Sequence, residues 1–246
     1  MLKRLSLYTL LLCFVPIFAW LSHWQWQENE TNGAVDYFLY LVTETGSLPY
    51  ALLTCAFFIF LYFRAIKDRK TALWIIALML CSIGLTQGIK SGLKTLFAEP
   101  RPFVVAMEQH SEVDRQFFYN ADRKSRAYWV RRYYSDLSLE PQSVPSWLIE
   151  HRAKETGYSF PSGHSIFAAS WLMLAVGFSE LFGKQAPKIK KFVPVIAIWA
   201  LLILISRLRL GMHYPIDLGV SILIAWLLHL GLFAFLQKKL IFRIEK

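Results

Sequence analysis

Residues that build metal centres or covalent cross-links are scarce in this chain of 246 residues. Its three cysteines, Cys13, Cys55 and Cys81, each fall inside an apolar run. They show no metal-ligand spacing and no pairing pattern, which excludes a zinc motif or a disulfide framework and leaves them as small buried hydrophobes. No cluster of acidic residues is suited to Mg²⁺. There is no internal repeat and no low-complexity tract. The net charge is +10, but no basic patch lies on a soluble folded segment, so a nucleic-acid-binding reading is excluded.

Apolar sequence is what the chain has in abundance. Hydrophobic residues make up 55% and aromatic residues 16%, and they come in blocks rather than dispersed as in a soluble domain. Six blocks approach the roughly 18–20 residues that cross a hydrocarbon core: about 5–21, 48–65, 72–93, 163–182, 192–210 and 216–236. The pattern predicts an all-α integral membrane protein with six transmembrane helices in a single domain, residues 1–246. The first block begins MLKR, as a signal peptide can. No small-x-small cleavage site follows it, and His23, Trp24 and Trp26 suit an interfacial aromatic belt, so it is expected to remain as an uncleaved helix.

The positions of the charges predict the topology. Lys3 and Arg4 precede the first span, and Arg64, Lys67, Arg69 and Lys70 lie between the second and third. Lys184, Lys188, Lys190 and Lys191 separate the fourth and fifth, and Lys238, Lys239, Arg243 and Lys246 follow the sixth. The connection between spans one and two carries Glu28, Glu30, Asp36 and Glu44 and neither Lys nor Arg. Every second connection is therefore basic, which places both termini in the cytoplasm. Anionic lipid headgroups are the expected electrostatic partner of these basic ends.

The one long polar excursion, about residues 98–158, joins spans three and four on the outer side. Its basic and acidic residues nearly balance. Mixed charge and aromatics over 114–134, punctuated afterwards by Pro141, Pro145 and Trp147, predict short helical pieces. They form either a lid or headgroup platform over a membrane site, or a packed structural cap.

Three polar clusters sit at the outer ends of spans three to six. In "KSGLKTLFAEPRP" (90–102), Lys90 and Lys94 share a helical face, and Arg101 follows a break. Lysines at such a position can snorkel to the interface, but two on an outward helix end run against the charge bias. In "SFPSGHSIFAAS" (159–170), Pro161 and Ser162 are good helix-start residues. A cap accounts for Ser162 but not for His164. A helix start also favours an anion, and Gly163 lets a phosphate approach its amide. In "SRLRLGMHYPID" (206–217), His213 and Asp217 bracket Pro215 four residues apart. At that spacing Asp217 can fix the tautomer of His213 and leave the other ring nitrogen free to attack. An interfacial histidine and a capping aspartate would account for each residue singly. Together the clusters place cations, two histidines, a carboxylate and a helix N-terminus on one side of the membrane. Displacement at a tetrahedral phosphate needs that set, with no metal and no cofactor implied.

Lys94 with six residues to Arg101-Pro102, then Pro161-Ser162-Gly163-His164, then Ser206-Arg207 with five residues to His213 and three more to Asp217, together resemble the type 2 phosphatidic acid phosphatase superfamily. The strings "VTET" (42–45), "EPRPF" (99–103), "KETGYSFPSGH" (154–164) and "SRLRLGMHYPIDL" (206–218) extend the resemblance to its bacterial membrane branch. The resemblance implies an inner-membrane enzyme with its site facing the periplasm. His213 would be the nucleophile, forming a phosphohistidine, Asp217 its orienting carboxylate, and His164 the acid and then the base. Lys94, Arg101, Ser162, Gly163 and Arg207 would hold the phosphate, and Lys90 and Glu155 would contact the remaining headgroup or tune the catalytic groups. It also implies lipid phosphate substrates: phosphatidylglycerol phosphate, undecaprenyl pyrophosphate, phosphatidic acid or lysophosphatidic acid. Transfer of the phosphate to a lipid hydroxyl instead of water is an alternative. The same motifs are similar to vanadium haloperoxidases, which are soluble, unlike a six-span chain. A membrane carrier would need charged or broken residues at mid-membrane in paired spans, and the span centres are apolar. The oligomeric state is left open.

Overall fold

A computed structural model describes residues 1–28, 33–137, 144–184 and 186–244 of the chain, with side chains to residue 238 in the last segment. Glu30, Pro141 and Lys246, and the side chains of Lys239 and Arg243, lie outside the described residues. Within them the fold is α-helical and contains no strand. In chain order the helices are α1 (Leu2–Leu21), α2 (Gly33–Glu44), α3 (Tyr50–Ala65), α4 (Arg69–Phe97), α5 (Pro102–His110), α6 (Arg115–Asn120), α7 (Arg123–Leu137), α8 (Ser146–Lys154), α9 (Gly163–Phe182), α10 (Phe192–Arg209) and α11 (Pro215–Ile244).

Local chemistry sets several of these boundaries. Asp68 accepts the Thr71 amide at 2.8 Å to start α4, and Asp114 accepts that of Phe117 at 2.9 Å to start α6. Each satisfies an orphan donor of a first turn. Pro102 and Pro215 stand first in α5 and α11, where the missing N–H costs nothing. Gly211 adopts φ +72° just past α10, a left-handed conformation that only glycine takes up cheaply. A Cβ there would also lie 2.4 Å from the Trp26 ring. That reversal folds the 210–214 segment back on α10, so the His213 amide donates to the Arg207 carbonyl at 3.1 Å.

Helix α9 is the hub. Trp171, Leu172, Leu174 and Phe178 are buried, as expected of a helix that is apolar all round, and α1, α4, α10 and α11 pack around it. Helix α11 approaches so closely that a Cβ at Gly177 would lie 2.2 Å from the Phe233 ring. Between α4 and α11, Ser82 and His229 share a buried hydrogen bond of 2.7 Å. Such a polar link between apolar helices contributes about 1 kcal/mol. The outer helices turn Leu7, Leu10, Phe14, Leu53, Phe60 and Ile198 outward, an apolar surface suited to lipid.

Five stretches are long and apolar enough to cross a membrane: Leu2–Leu21, Arg69–His110, Gly163–Phe182, Pro187–Arg209 and Pro215–Lys238. They match five of the six predicted spans, the fifth ending one residue earlier than expected. The remaining one, expected at 48–65, is the apolar helix α3, whose 16 residues fall short of the roughly 20 that span a bilayer upright. It starts later than hydropathy implies because Thr45–Pro49 turns the chain out of α2. Hydropathy did not signal α2 itself, since Asp36, Thr43 and Glu44, which bond Arg209, Arg207 and His151, interrupt its apolar residues.

The excursion is a packed cap with its own apolar core. Phe103, Val104, Phe118, Val130, Tyr134 and Leu148 are buried together with Leu210 and Met212 of the α10–α11 segment. Arg152, buried within this cap, donates to Tyr134 Oη at 2.6 Å and to the Leu210 carbonyl at 3.3 Å. Its guanidinium lies 4.9 Å from the centre of the Trp26 ring, a cation–π contact that offsets burial of the charge. The cap therefore holds the chain segment that carries His213.

Candidate active site

The three clusters lie at the ends of helices that come together at one end of the bundle: the C-terminal ends of α4 and α10 and the N-terminal ends of α9 and α11. His213 is buried in the segment before α11. Its Nδ1–H donates to Asp217 Oδ2 at 3.1 Å, which leaves Nε2 with its lone pair. The same carboxylate oxygen accepts the Tyr214 amide at 3.0 Å and the Ser159 hydroxyl. Ser159 Oγ also lies 3.2 Å from His213 Nδ1. Arg101 Nη1 stands 3.4 Å from His213 Nε2. Burial, reinforced by the charges of Arg101, Arg207 and Lys94, pushes His213 well below the ordinary histidine value, so the ring is neutral near pH 7.

Cations surround this ring. Arg101 is anchored through Nε to the Gly157 carbonyl at 2.8 Å and through Nη1 to that of Met212 at 3.1 Å. Lys94 donates to the Ser159 carbonyl at 3.2 Å and to the Tyr158 carbonyl. Arg207, with no exposed surface, donates from Nη2 to Glu155 Oε2 at 2.6 Å and from Nη1 to Thr43 Oγ1 at 2.8 Å. Its Nε–H is buried without a partner among the described residues. An orphaned guanidinium donor is costly unless an acceptor is brought to it, and a phosphate oxygen is such an acceptor.

Glu155 ties these groups together. Oε2 lies 3.4 Å from Arg101 Nη2 as well as bonding Arg207, and Oε1 lies 3.5 Å from His164 Nε2. Burial would raise this carboxyl, but Arg207 first, with His164, His151 and Arg101, outweighs it and holds Glu155 well below the usual carboxylate range. His164, in the first turn of α9, also meets Ser47 Oγ at 2.8 Å. Ser162 caps α9, its oxygen accepting from the Ser165 amide at 3.4 Å and the Ser165 hydroxyl at 2.8 Å. Lys90 lies over Gly163, so that a Cβ there would come within 2.9 Å of its chain. Among the described residues, no group of three or more His, Cys, Asp or Glu could hold a metal ion.

All ten residues singled out from the sequence therefore converge at one end of the bundle. Glu155, read there as peripheral, stands at the centre. Sequence reasoning missed Ser47, Ser159, Thr43, Glu44 and His151. His151 is buried, donates from Nδ1 to Glu44 Oε1 at 3.0 Å, and accepts Arg207 Nη1 at 3.2 Å on Nε2. Burial pushes His151 below its ordinary value, against the opposing effect of Glu44, and the neutral ring can thus accept from a guanidinium. The four-residue step from His151 to Glu155, and the presence of Thr43 and Glu44 within "VTET", were the available signals.

Two clefts approach the site. One, of about 650 Å³, runs from the apolar Leu48, Leu52, Cys55 and Ile83 to Lys90, Gly163, Glu155 and His164. The other, of about 580 Å³, is lined by Trp20, Trp24 and Trp26 and reaches His213.

An apolar helical bundle with a His–Asp pair and a ring of cations built into one end defines a class of helical membrane proteins with a polar, cation-rich site at the bundle end. The chain belongs to the PAP2 superfamily, whose family model matches residues 72–241. It is 52% identical over 244 residues to phosphatidylglycerophosphatase B of Haemophilus influenzae, covering 98% of this chain and 99% of that protein. It is 34% identical over 227 residues to phosphatidylglycerophosphatase B of Escherichia coli K12, covering 92% and 85% respectively. The crystal structure of a transmembrane PAP2-type phosphatidylglycerolphosphate phosphatase from Bacillus subtilis has the same fold, with a TM-score of 0.52 at 18% identity over 97% of this chain and 96% of that one.

Proposed function

We propose that this chain is a membrane lipid phosphate phosphatase that works through a phosphohistidine on His213. The observation that carries this reading is the geometry at His213. Nδ1 is bound to Asp217, while Nε2 is neutral, buried and faced by Arg101. A lipid phosphomonoester brought against Arg101, Lys94 and the unpartnered Nε–H of Arg207 presents its phosphorus to Nε2. The N–P bond forms as the P–O bond to the lipid breaks, and His164 gives its proton to the departing oxygen. Asp217 stabilises the charge that develops on His213, and Glu155 balances that on His164. In the second step His164 takes a proton from water, the hydroxide attacks phosphorus, the N–P bond breaks, and inorganic phosphate leaves with His213 neutral again. The Ser162 hydroxyl and the Gly163 amide, at the positive end of α9, serve the equatorial oxygens.

The apolar wall of Leu48, Leu52, Cys55 and Ile83 leads from the lipid-facing surface to Gly163 and His164, a path for an acyl-bearing substrate. The substrate is phosphatidylglycerol phosphate, as the names of the relatives support, with phosphatidic acid, lysophosphatidic acid and undecaprenyl pyrophosphate as further substrates. The site faces the periplasm, with both termini in the cytoplasm, since Lys67, Arg69 and Lys188 to Lys191 lie at the opposite helix ends. The six apolar helices, α3 included, form a single membrane domain in the bacterial inner membrane. The test is phosphate release from phosphatidylglycerol phosphate in neutral-detergent micelles. His213→Ala and His164→Ala abolish it while the protein still inserts in the membrane. Undiminished turnover by His213→Ala would refute the mechanism.

A further inference from the structure

Outside the catalytic clusters, the cap sends two cations to the mouth of the lipid-facing cleft. Arg123 begins α7 and Lys154 ends α8, and both line the same cleft as Lys90, Glu155, Gly163 and His164. The two are fastened to each other, because Arg123 Nη2 donates to the Lys154 carbonyl at 3.0 Å. Other arginines of the cap are neutralised where they stand: Arg131 by Glu150 at 2.7 Å, and Arg115 by Glu108. Among the described residues Arg123 and Lys154 have no such carboxylate partner, and both are exposed. Lys154 also acts on Glu150, which Arg131 already holds, so the two cations keep a net positive field over the cleft for an arriving anion.

We propose that Arg123 and Lys154 form a second anion subsite that binds the phosphodiester of a two-phosphate lipid while its terminal phosphomonoester is cleaved at His213. This rests on the phosphatase reading and adds to it a residue-level origin for substrate preference. Phosphatidylglycerol phosphate carries a phosphodiester one glycerol bridge away from the phosphomonoester, whereas phosphatidic acid carries the phosphomonoester alone. With the phosphomonoester among Arg101, Lys94 and Arg207, the second charge of the longer headgroup falls in the cleft between the His164 end and its cationic rim. Phosphatidic acid has nothing to place there. Discrimination then arises from a contact that one substrate makes and the other lacks. Each exposed cation supplies a factor of about three, and the pair about tenfold, with sensitivity to salt because the rim is solvated.

The experiment compares kcat/KM for phosphatidylglycerol phosphate and phosphatidic acid, each diluted in neutral-detergent micelles, in the wild type and two double variants. In Arg123→Gln/Lys154→Gln the ratio of the two kcat/KM values falls about tenfold, and raising ionic strength shrinks that difference. In Arg123→Lys/Lys154→Arg, which keeps both charges, the ratio stays within about twofold of wild type. An unchanged ratio in the Gln pair overturns the subsite, and so does an equal loss in the charge-preserving pair. A wild-type chain that released phosphate from neither lipid would sink the phosphatase reading and this subsite with it.

Discussion

Replacing Asp217 by Asn isolates what its carboxylate does for His213, because the two side chains have nearly the same shape. Asp217 Oδ2 accepts the His213 ring at 3.1 Å, the Tyr214 amide at 3.0 Å and the Ser159 hydroxyl. Its Oδ1 has no partner among the described residues. If the Asn oxygen keeps the Oδ2 contacts, its NH₂ lies where no acceptor waits, and a buried unsatisfied donor costs about 1–3 kcal/mol. If the amide turns over, it opposes the ring N–H and selects the tautomer in which Nε2 carries the proton and cannot attack. Either way the charge that would stabilise the developing imidazolium is gone, a charge-assisted bond of about 1.5–3 kcal/mol. The orphaned amide burdens free enzyme and transition state alike and lowers stability, whereas the lost charge-assisted bond acts in the transition state, so kcat/KM falls by roughly 10- to 100-fold. The assay is inorganic phosphate release from phosphatidic acid in neutral-detergent micelles, with circular dichroism to establish that the helices are intact. A folded Asp217→Asn protein with activity within about threefold of wild type would refute the role assigned to the pair.

Three further outcomes are expected. His151→Ala removes one of the two acceptors of Arg207 Nη1, leaving Thr43, and strands Glu44. It should raise KM about tenfold or more with a smaller change in kcat, and an unchanged KM would show that Arg207 is positioned without His151. In the proposed mechanism the nucleophile is neutral His213, held well below the ordinary value by burial and by Arg101, so its protonation should remove activity only at pH well under about 6.5. Arg101→Gln deletes one of the depressing charges, so the acid limb of the residual kcat/KM profile should move to higher pH; a limb that stays put contradicts the electrostatic account. With lysine and arginine proposed to supply the charge at the phosphate, turnover should persist in EDTA, and strict dependence on added Mg²⁺ would reject that assignment.

How much was legible in the sequence followed from distance along the chain. The His213–Asp217 pair was readable because four residues across a helix start place two side chains on one face. The Ser162 cap and the apolar runs of α1, α4, α9, α10 and α11 are likewise decided by neighbouring residues and composition. Helix α2 was not readable, since a segment with Asp36, Thr43 and Glu44 among apolar residues has no membrane-like hydropathy. Its helical face makes sense only against Arg207 and His151. Ser159 was passed over for the same reason: its hydroxyl meets Asp217 across 58 positions.

Composition, caps and short-range spacing thus determined by themselves a helical membrane bundle carrying three polar clusters toward one end. Only the tertiary structure decided that Glu155 stands between Arg101, Arg207 and His164, and that Glu44 and His151 support Arg207 from behind. It alone placed Arg123 and Lys154 at the mouth of the apolar cleft. The physical reason is the range of the interactions. Helix propensity, capping and the hydrophobic effect act on residues within a turn or on the chain's average character, and a sequence displays both. A buried ion pair depends on which distant segments share one desolvated volume, and in this chain that volume exists only once α2, α8 and the cap have packed onto the ends of α9 and α10.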